Sequence, residues 1–296
     1  MGLAGTFMPG LKLLSDHTEG PLQSRYLAFY TSSFSIGASA SYLISGEIAG
    51  ALDWRWSFGL AAVGSLASAT LIQTLLPAGR CHPEPLPRML LDFRPVLRTR
   101  PAMAYIVAYT GHAWELFSFR SWIVALLAFS QSLQVGGSLW NLTLIAAIVN
   151  LLGLPASIGG NELAVRFGRR RVITLIMIVS FLVSCVAGFA VSSSVLIVMG
   201  LCVVYGVTVM ADSASLTAGA VEVAPPGHKG ATLAVHSTLG FGAGFLGPLA
   251  VSAVLDLFGG PSLAWGMAFI TMGLGSALGS IALARLGKPR PETSDQ

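Results

Sequence analysis

Charge is what this sequence has least of. Only 10% of its 296 residues are Asp, Glu, Lys or Arg, against roughly a quarter in a soluble domain. So few charges cannot cover a water-facing surface, and a soluble globular fold is excluded. Cysteine is scarce too: Cys81, Cys185 and Cys202 form neither a disulfide framework nor a Cys/His cluster with metal-ligand spacing. The Gly-rich loop ending in Lys-Ser/Thr that holds nucleotide phosphates is missing, and so is the Gly-x-Ser-x-Gly elbow of hydrolases. No enzyme chemistry, cofactor or metal is expected, and ATP is not expected to drive the protein. The first residues carry no basic segment or cleavage site, so no signal peptide is expected.

What is present is apolar length. Hydrophobic residues make up 54% of the chain, the mean hydropathy is +0.73, and there are 34 glycines, a residue membrane helices use to bring backbones close. A short apolar stretch, residues 2–14, falls below the roughly 20 residues a membrane span needs. Eight longer runs follow, at about 28–51, 57–76, 102–129, 139–158, 172–191, 195–221, 231–255 and 263–283. The expected fold is an all-α polytopic membrane helix bundle of about eight complete transmembrane helices plus an N-terminal partial helix. Residues 77–101 interrupt the pattern with six prolines and five arginines, which makes them a linker. The expected organisation is a helical remainder over 1–76, a cytoplasmic linker over 77–101, a six-helix unit over 102–284 and a cytoplasmic tail over 285–296.

The densest charge is the block from Gly160 to Arg171, with Arg166, Arg169, Arg170 and Arg171 between two apolar runs. Short loops with many arginines are retained on the cytoplasmic side. With the block placed there and the spans alternating, 15 of the 17 Lys and Arg residues fall on that face. Arg55 falls outside, and Arg120 lies within a span. The C-terminus is then cytoplasmic, and the expected location is the plasma membrane, in a bacterium the inner membrane. The chain also repeats itself. Arg25 precedes Asp53 by 28 residues and Lys229 precedes Asp256 by 27, each pair enclosing a Gly/Ser-rich span.

The string Gly160-x-x-Leu163-Ala164-x-Arg166-x-Gly168-Arg169-Arg170 resembles the loop motif of the major facilitator superfamily, which joins the second and third helices of a six-helix half. Here it joins the second and third spans after the linker. The basic linker, Pro9-Gly10 and the Trp54-Arg55-Trp56-x-Phe58 turn agree. The resemblance implies two six-helix halves, of which this chain would lack about the first three helices and part of the fourth. It implies secondary transport of a small solute by alternating access, with the solute held near the bilayer midplane between the halves. Two departures stand out. Val165 occupies the position of the motif's aspartate, and residues 37–46 lack the proline of the antiporter motif, which argues against drug antiport.

Ionisable groups inside spans are costly and mark candidate function. His112 and Glu115, three apart near mid-span, are close enough on a helix to interact and to carry a proton; a pair locking helices together is the plainer alternative. Arg120 offers a fixed cation for an anionic solute, or simply reaches for the outer interface. Tyr205, Thr208, Asp212, Ser215 and Gly219 form a stripe at helical spacing, and Asp212 is expected to pair with Arg120 or to take a proton. His236 lies in the cytoplasmic third of its span. Ser32, Ser35, Ser39 and Tyr42 share a face, readable as cavity wall or as packing, and Asn150 and Ser157 form a weaker pair. Gly160, Arg166, Gly168, Arg169 and Arg170 are expected to act as a cytoplasmic gate loop. The expected function is proton-coupled symport of a small solute, with Arg120 pointing to an organic or inorganic anion. The partners are that solute, protons and the lipid bilayer, with no nucleic acid and no obligatory protein. The alternatives are a transport-inactive relative missing helices and a non-transporting membrane scaffold.

Overall fold

The computed structural model describes residues 2–18, 20, 22–75, 92–134 and 140–286. Cys81, most of the linker and the tail beyond Leu286 lie outside them. The described elements are helices: α1 (Gly2–His17), α2 (Gln23–Ala51), α3 (Trp54–Leu75), the single turn α4 (Arg94–Arg98), α5 (Arg100–Ser132), α6 (Leu142–Phe167), α7 (Arg169–Phe189), α8 (Val195–Ala211), α9 (Ser213–Glu222), α10 (Lys229–Leu257) and α11 (Pro261–Leu286). Among the described residues, seven stretches are long and apolar enough to cross a membrane, counting α8 and α9 as one. α2 has the length for another, at 29 residues, but its serines keep it outside that set.

Local chemistry sets several boundaries. The Asn141 side chain accepts the Leu144 backbone N–H at 3.0 Å and caps the start of α6. Gly168, at φ +94, makes the break that separates α6 from α7, a backbone state glycine adopts without steric cost. The repeat seen in the sequence reappears as geometry, because α2 and α10 are both 29-residue helices followed by a short turn and another long helix. One expectation is corrected. The run 195–221 is not a continuous helix but breaks at Asp212, where α8 ends and α9 begins.

α5 is the central element, packed against α10 and α11 over most of its length, while α7 packs on α11 and α6 on α8. Gly111 of α5 and Gly275 of α11 meet backbone to backbone, and a Cβ on either would run into the other's carbonyl oxygen. The earlier helices join through α2, which lies along α6. α3 buries no residue and touches α2. Two apolar clusters fill the interior. One is built around Phe119, Tyr205 and Phe269, the other around Tyr105, Tyr109 and Leu216, nearer the arginine block. Along α5 and the α8–α9 break, His112, Glu115 and Asp212 fall between them.

Candidate functional site

That polar layer is held by ring stacking and by charge. His112 Nδ1 lies 2.7 Å from Asp212 Oδ1, and both side chains are almost fully buried. The carboxylate is out of line with the ring nitrogen, so the two atoms make a close contact rather than an aligned hydrogen bond, and it is an ion pair only when His112 is protonated. The Asp212 carboxylate starts from the break between α8 and α9. Tyr109, one turn back along α5, stacks on His112 with ring centroids 5.8 Å apart. Its ring also stacks on His236 of α10 at 3.7 Å. His236 is fully buried and neither ring nitrogen has a partner. A column Asp212–His112–Tyr109–His236 thus runs across three helices. Tyr109 was not singled out in the sequence, where an aromatic in an apolar run carries no signal.

Glu115 is not part of this column. It points to α7, α8 and α11, where it accepts hydrogen bonds from Ser180 at 3.0 Å, Tyr205 at 2.9 Å and Ser276. The expected contact between His112 and Glu115 does not form, because the 60° between them on α5 sends them to different neighbours. Thr208 is half-buried and bonds back to the Tyr205 carbonyl, so the stripe on α8 and α9 does not line a single surface.

Arg120 does not pair with Asp212. Its Nε donates to Asn150 Oδ1 at 2.7 Å, and its Nη2 lies 3.8 Å from Met210 Sδ. Its guanidinium covers the ring of Phe34 at 4.8 Å, and Tyr42 donates to its backbone carbonyl. Nη1 is buried without a hydrogen-bond partner. Among the described residues no carboxylate forms an ion pair with Arg120. Asn150, one of the weaker sequence candidates, therefore has a defined role, whereas Ser157 is buried without a partner.

A cavity, partly open to its surroundings, lies between α1 and α2 on one side and α5, α8, α9 and α10 on the other. Thr31, Phe34, Tyr109, His112, Phe117, Met210, Ser213, Thr217 and Phe241 line it, with Phe7, Ala113 and Leu116. Thr31 and Phe34 are the contributions of α2. The face with Ser32, Ser35 and Ser39 packs instead, and Ser35 Oγ closes on Gly153 of α6. Close approach of two helices needs small residues at the seam.

On the arginine-block face, Arg169 is a hub. It donates to Ser24 Oγ of α2 at 3.0 Å, Asn161 Oδ1 of α6 at 3.1 Å, the Ser215 carbonyl of α9 at 3.3 Å and Glu222 at 3.2 Å. Beside it, Arg25 of α2 holds Glu162 of α6 through two bonds, at 2.7 and 2.9 Å. Gly160 lets α6 press on the carbonyl of Ala211. Arg166 lies over Phe167 and Val165 is exposed, while the Arg170 carbonyl caps the Thr174 hydroxyl. Ser24, Asn161 and Glu162 were missed in the sequence, and Arg25 was marked there only as the start of the repeat, since polar residues near a loop read as ordinary solvated ends.

A sequence profile described as Major Facilitator Superfamily matches residues 1–248 and 116–296, so the two matches together span the chain. A search of curated proteins gives no match. The profile covers every described helix, the cavity and the arginine hub, and the chain belongs to the Major Facilitator Superfamily.

Proposed function

We propose that this member of the superfamily, a secondary transporter of a small solute, carries an anion and couples its movement to protons. The observation that carries the reading is Arg120: a half-buried cation between α2, α5, α6 and α8, whose Nη1 is buried with no hydrogen-bond partner and which pairs with no carboxylate among the described residues. A lone charge at membrane depth is expensive, and a bound anion would offset that cost. A guanidinium presents a rigid fork of donors suited to a carboxylate or phosphate.

His112 and Asp212 supply the proton step. When His112 carries a proton the pair is neutral overall; without it the Asp212 charge stands alone among apolar side chains. Because His112 lines the cavity, gaining or losing that proton changes the charge the solute meets. The arginine-block face is cytoplasmic in this reading, and Arg169 and the Arg25–Glu162 pair close the cavity on that side. Opening them would admit the solute from the cytoplasm, and closing them would allow release on the other face. Residues 77–101 link the two moving units, and the location is the plasma membrane, in a bacterium the inner membrane.

The test is uptake into proteoliposomes across a panel of labelled anions and neutral solutes, with and without a pH gradient. Accumulation of an anion that rises with the gradient is expected, and it should be lost in Arg120→Ala and in Asp212→Ala. Indifference to the gradient would remove proton coupling, and unchanged uptake in both variants would remove the assigned site.

A further inference from the structure

The cavity and Arg120 are neighbours separated by a partition one side chain thick. Phe34 and Met210 face the cavity, and the same two residues touch the Arg120 guanidinium, at 4.8 Å to the Phe34 ring centroid and 3.8 Å to the Met210 sulfur. Phe34 is only half-buried, and its other ring contact is edge-on, with Phe7 at 5.9 Å. Methionine is flexible and repacks easily. The partition is made of side chains rather than backbone.

The cavity on the near side is aromatic. Phe34, Tyr109, Phe117 and Phe241 line it, and Phe117 meets Phe241 edge to face at 6.1 Å. Its polar groups are hydroxyls, Thr31, Ser213 and Thr217, and the His112 ring. Walls of this kind suit a flat apolar body, which gains offset or edge contacts with each ring. The free donor on the far side suits one negative charge.

We propose that the two compartments form one binding site for an organic monoanion with an aromatic body, its carboxylate on Arg120 Nη1 and its ring between Phe34, Phe117 and Phe241, with Phe34 and Met210 swinging aside as it enters. The proposal rests on the anion reading above and narrows it. A small inorganic anion would leave the aromatic walls unfilled. A neutral aromatic solute would leave the Arg120 charge uncompensated. A dianion would bring a second negative charge toward Asp212, where no second cation balances it.

Binding is measured on the purified full chain in lipid nanodiscs by calorimetry, with phenylacetate, its neutral amide phenylacetamide, acetate and inorganic phosphate. Phenylacetate should bind at least about tenfold more tightly than each of the other three. Arg120→Gln should abolish the preference for phenylacetate over phenylacetamide. Phe241→Leu, which nearly conserves volume, should weaken both aromatic probes by a similar factor and leave acetate unchanged. Acetate or phosphate binding as tightly as phenylacetate overturns the proposal, and so does an Arg120→Gln protein that keeps its preference for the charged probe. Aromatic-selective binding without gradient-driven uptake of any anion would leave this site standing and remove proton-coupled transport. Gradient-driven uptake of phosphate without aromatic selectivity would do the reverse.

Discussion

At the scale of single residues, the energetics of the polar layer turn on which charges are left alone. Truncating one partner of a buried ion pair strands the other, at a cost of about 3–5 kcal/mol. His112→Ala should therefore lower the melting temperature sharply, since Asp212 stays buried beside it. Replacing both, His112→Leu with Asp212→Leu, should recover most of that stability without restoring transport. Thermal unfolding of the three proteins in detergent checks this, and a double variant no more stable than His112→Ala would contradict it. Glu115 should behave differently. Glu115→Ala strips Ser180, Tyr205 and Ser276 of their acceptor, at about 1–3 kcal/mol for each buried group left unsatisfied. Expression and melting temperature should fall while the KM of the protein that survives stays near the parent value. A KM shift without a stability loss would return Glu115 to the transport path. The spacing of His112 and Glu115 made both legible in the sequence. Their separate fates were not, because a 60° offset on one helix says nothing about which helices stand on either side.

At the scale of helices, the seams matter more than the apolar faces. Leu and Val on a membrane helix are as content in lipid as in protein, so close packing depends on small residues meeting. The Gly111–Gly275 contact is a reciprocal case, with each Cα facing the other's carbonyl. Gly111→Ala should push α5 and α11 apart, at about 1–3 kcal/mol or more. Gly242→Ala, on an open face of α10, should be neutral or slightly stabilising through better helix propensity. Melting temperatures of the two variants compare them directly, and an equal response would refute the backbone-contact account. The abundance of glycine was evident in the composition, and glycine seams were to be expected. Which glycines pair is set by helix crossings that involve residues more than 160 positions apart. The break at Asp212 was equally hidden: the run 195–221 is long and mostly apolar, and its helix is interrupted at one residue whose side chain meets another helix.

At the scale of the whole molecule, the question is what holds α2 to the later helices. Arg169 gathers acceptors from α2, α6 and α9, so one side chain ties α2 to two later helices. A hydrogen bond to a charged group contributes about 1.5–3 kcal/mol, and losing even one would shift an open–closed equilibrium about tenfold. Arg169→Ala should raise the labelling rate of Ser213→Cys, a cavity-wall position, by a membrane-impermeant thiol reagent added from the arginine-block side. The background lacks Cys81, Cys185 and Cys202. Unchanged labelling would mean that the hub does not gate the cavity. Arg169→Lys should behave more like Ala than like the parent, since a lysine cannot reach four acceptors with the guanidinium's fixed fork.

The sequence by itself determined the class, the helices and the family. Scarce charge and long apolar runs are consequences of membrane thickness and dehydration cost, and these act locally along the chain. It also marked the residues worth attention, since an ionisable group inside a span stands out wherever it sits. What only the tertiary structure decided was partnership: Asp212 with His112 rather than Arg120, Glu115 with three hydroxyls, Arg120 with Asn150 and no acid, and Arg169 with a serine 145 positions away. Partners are set by where helices cross, and in lipid those crossings depend on shape complementarity between small residues rather than on hydrophobic periodicity. The arginine block shows both sides of the division, because its charge was plain in the sequence and its grip on α2 was not.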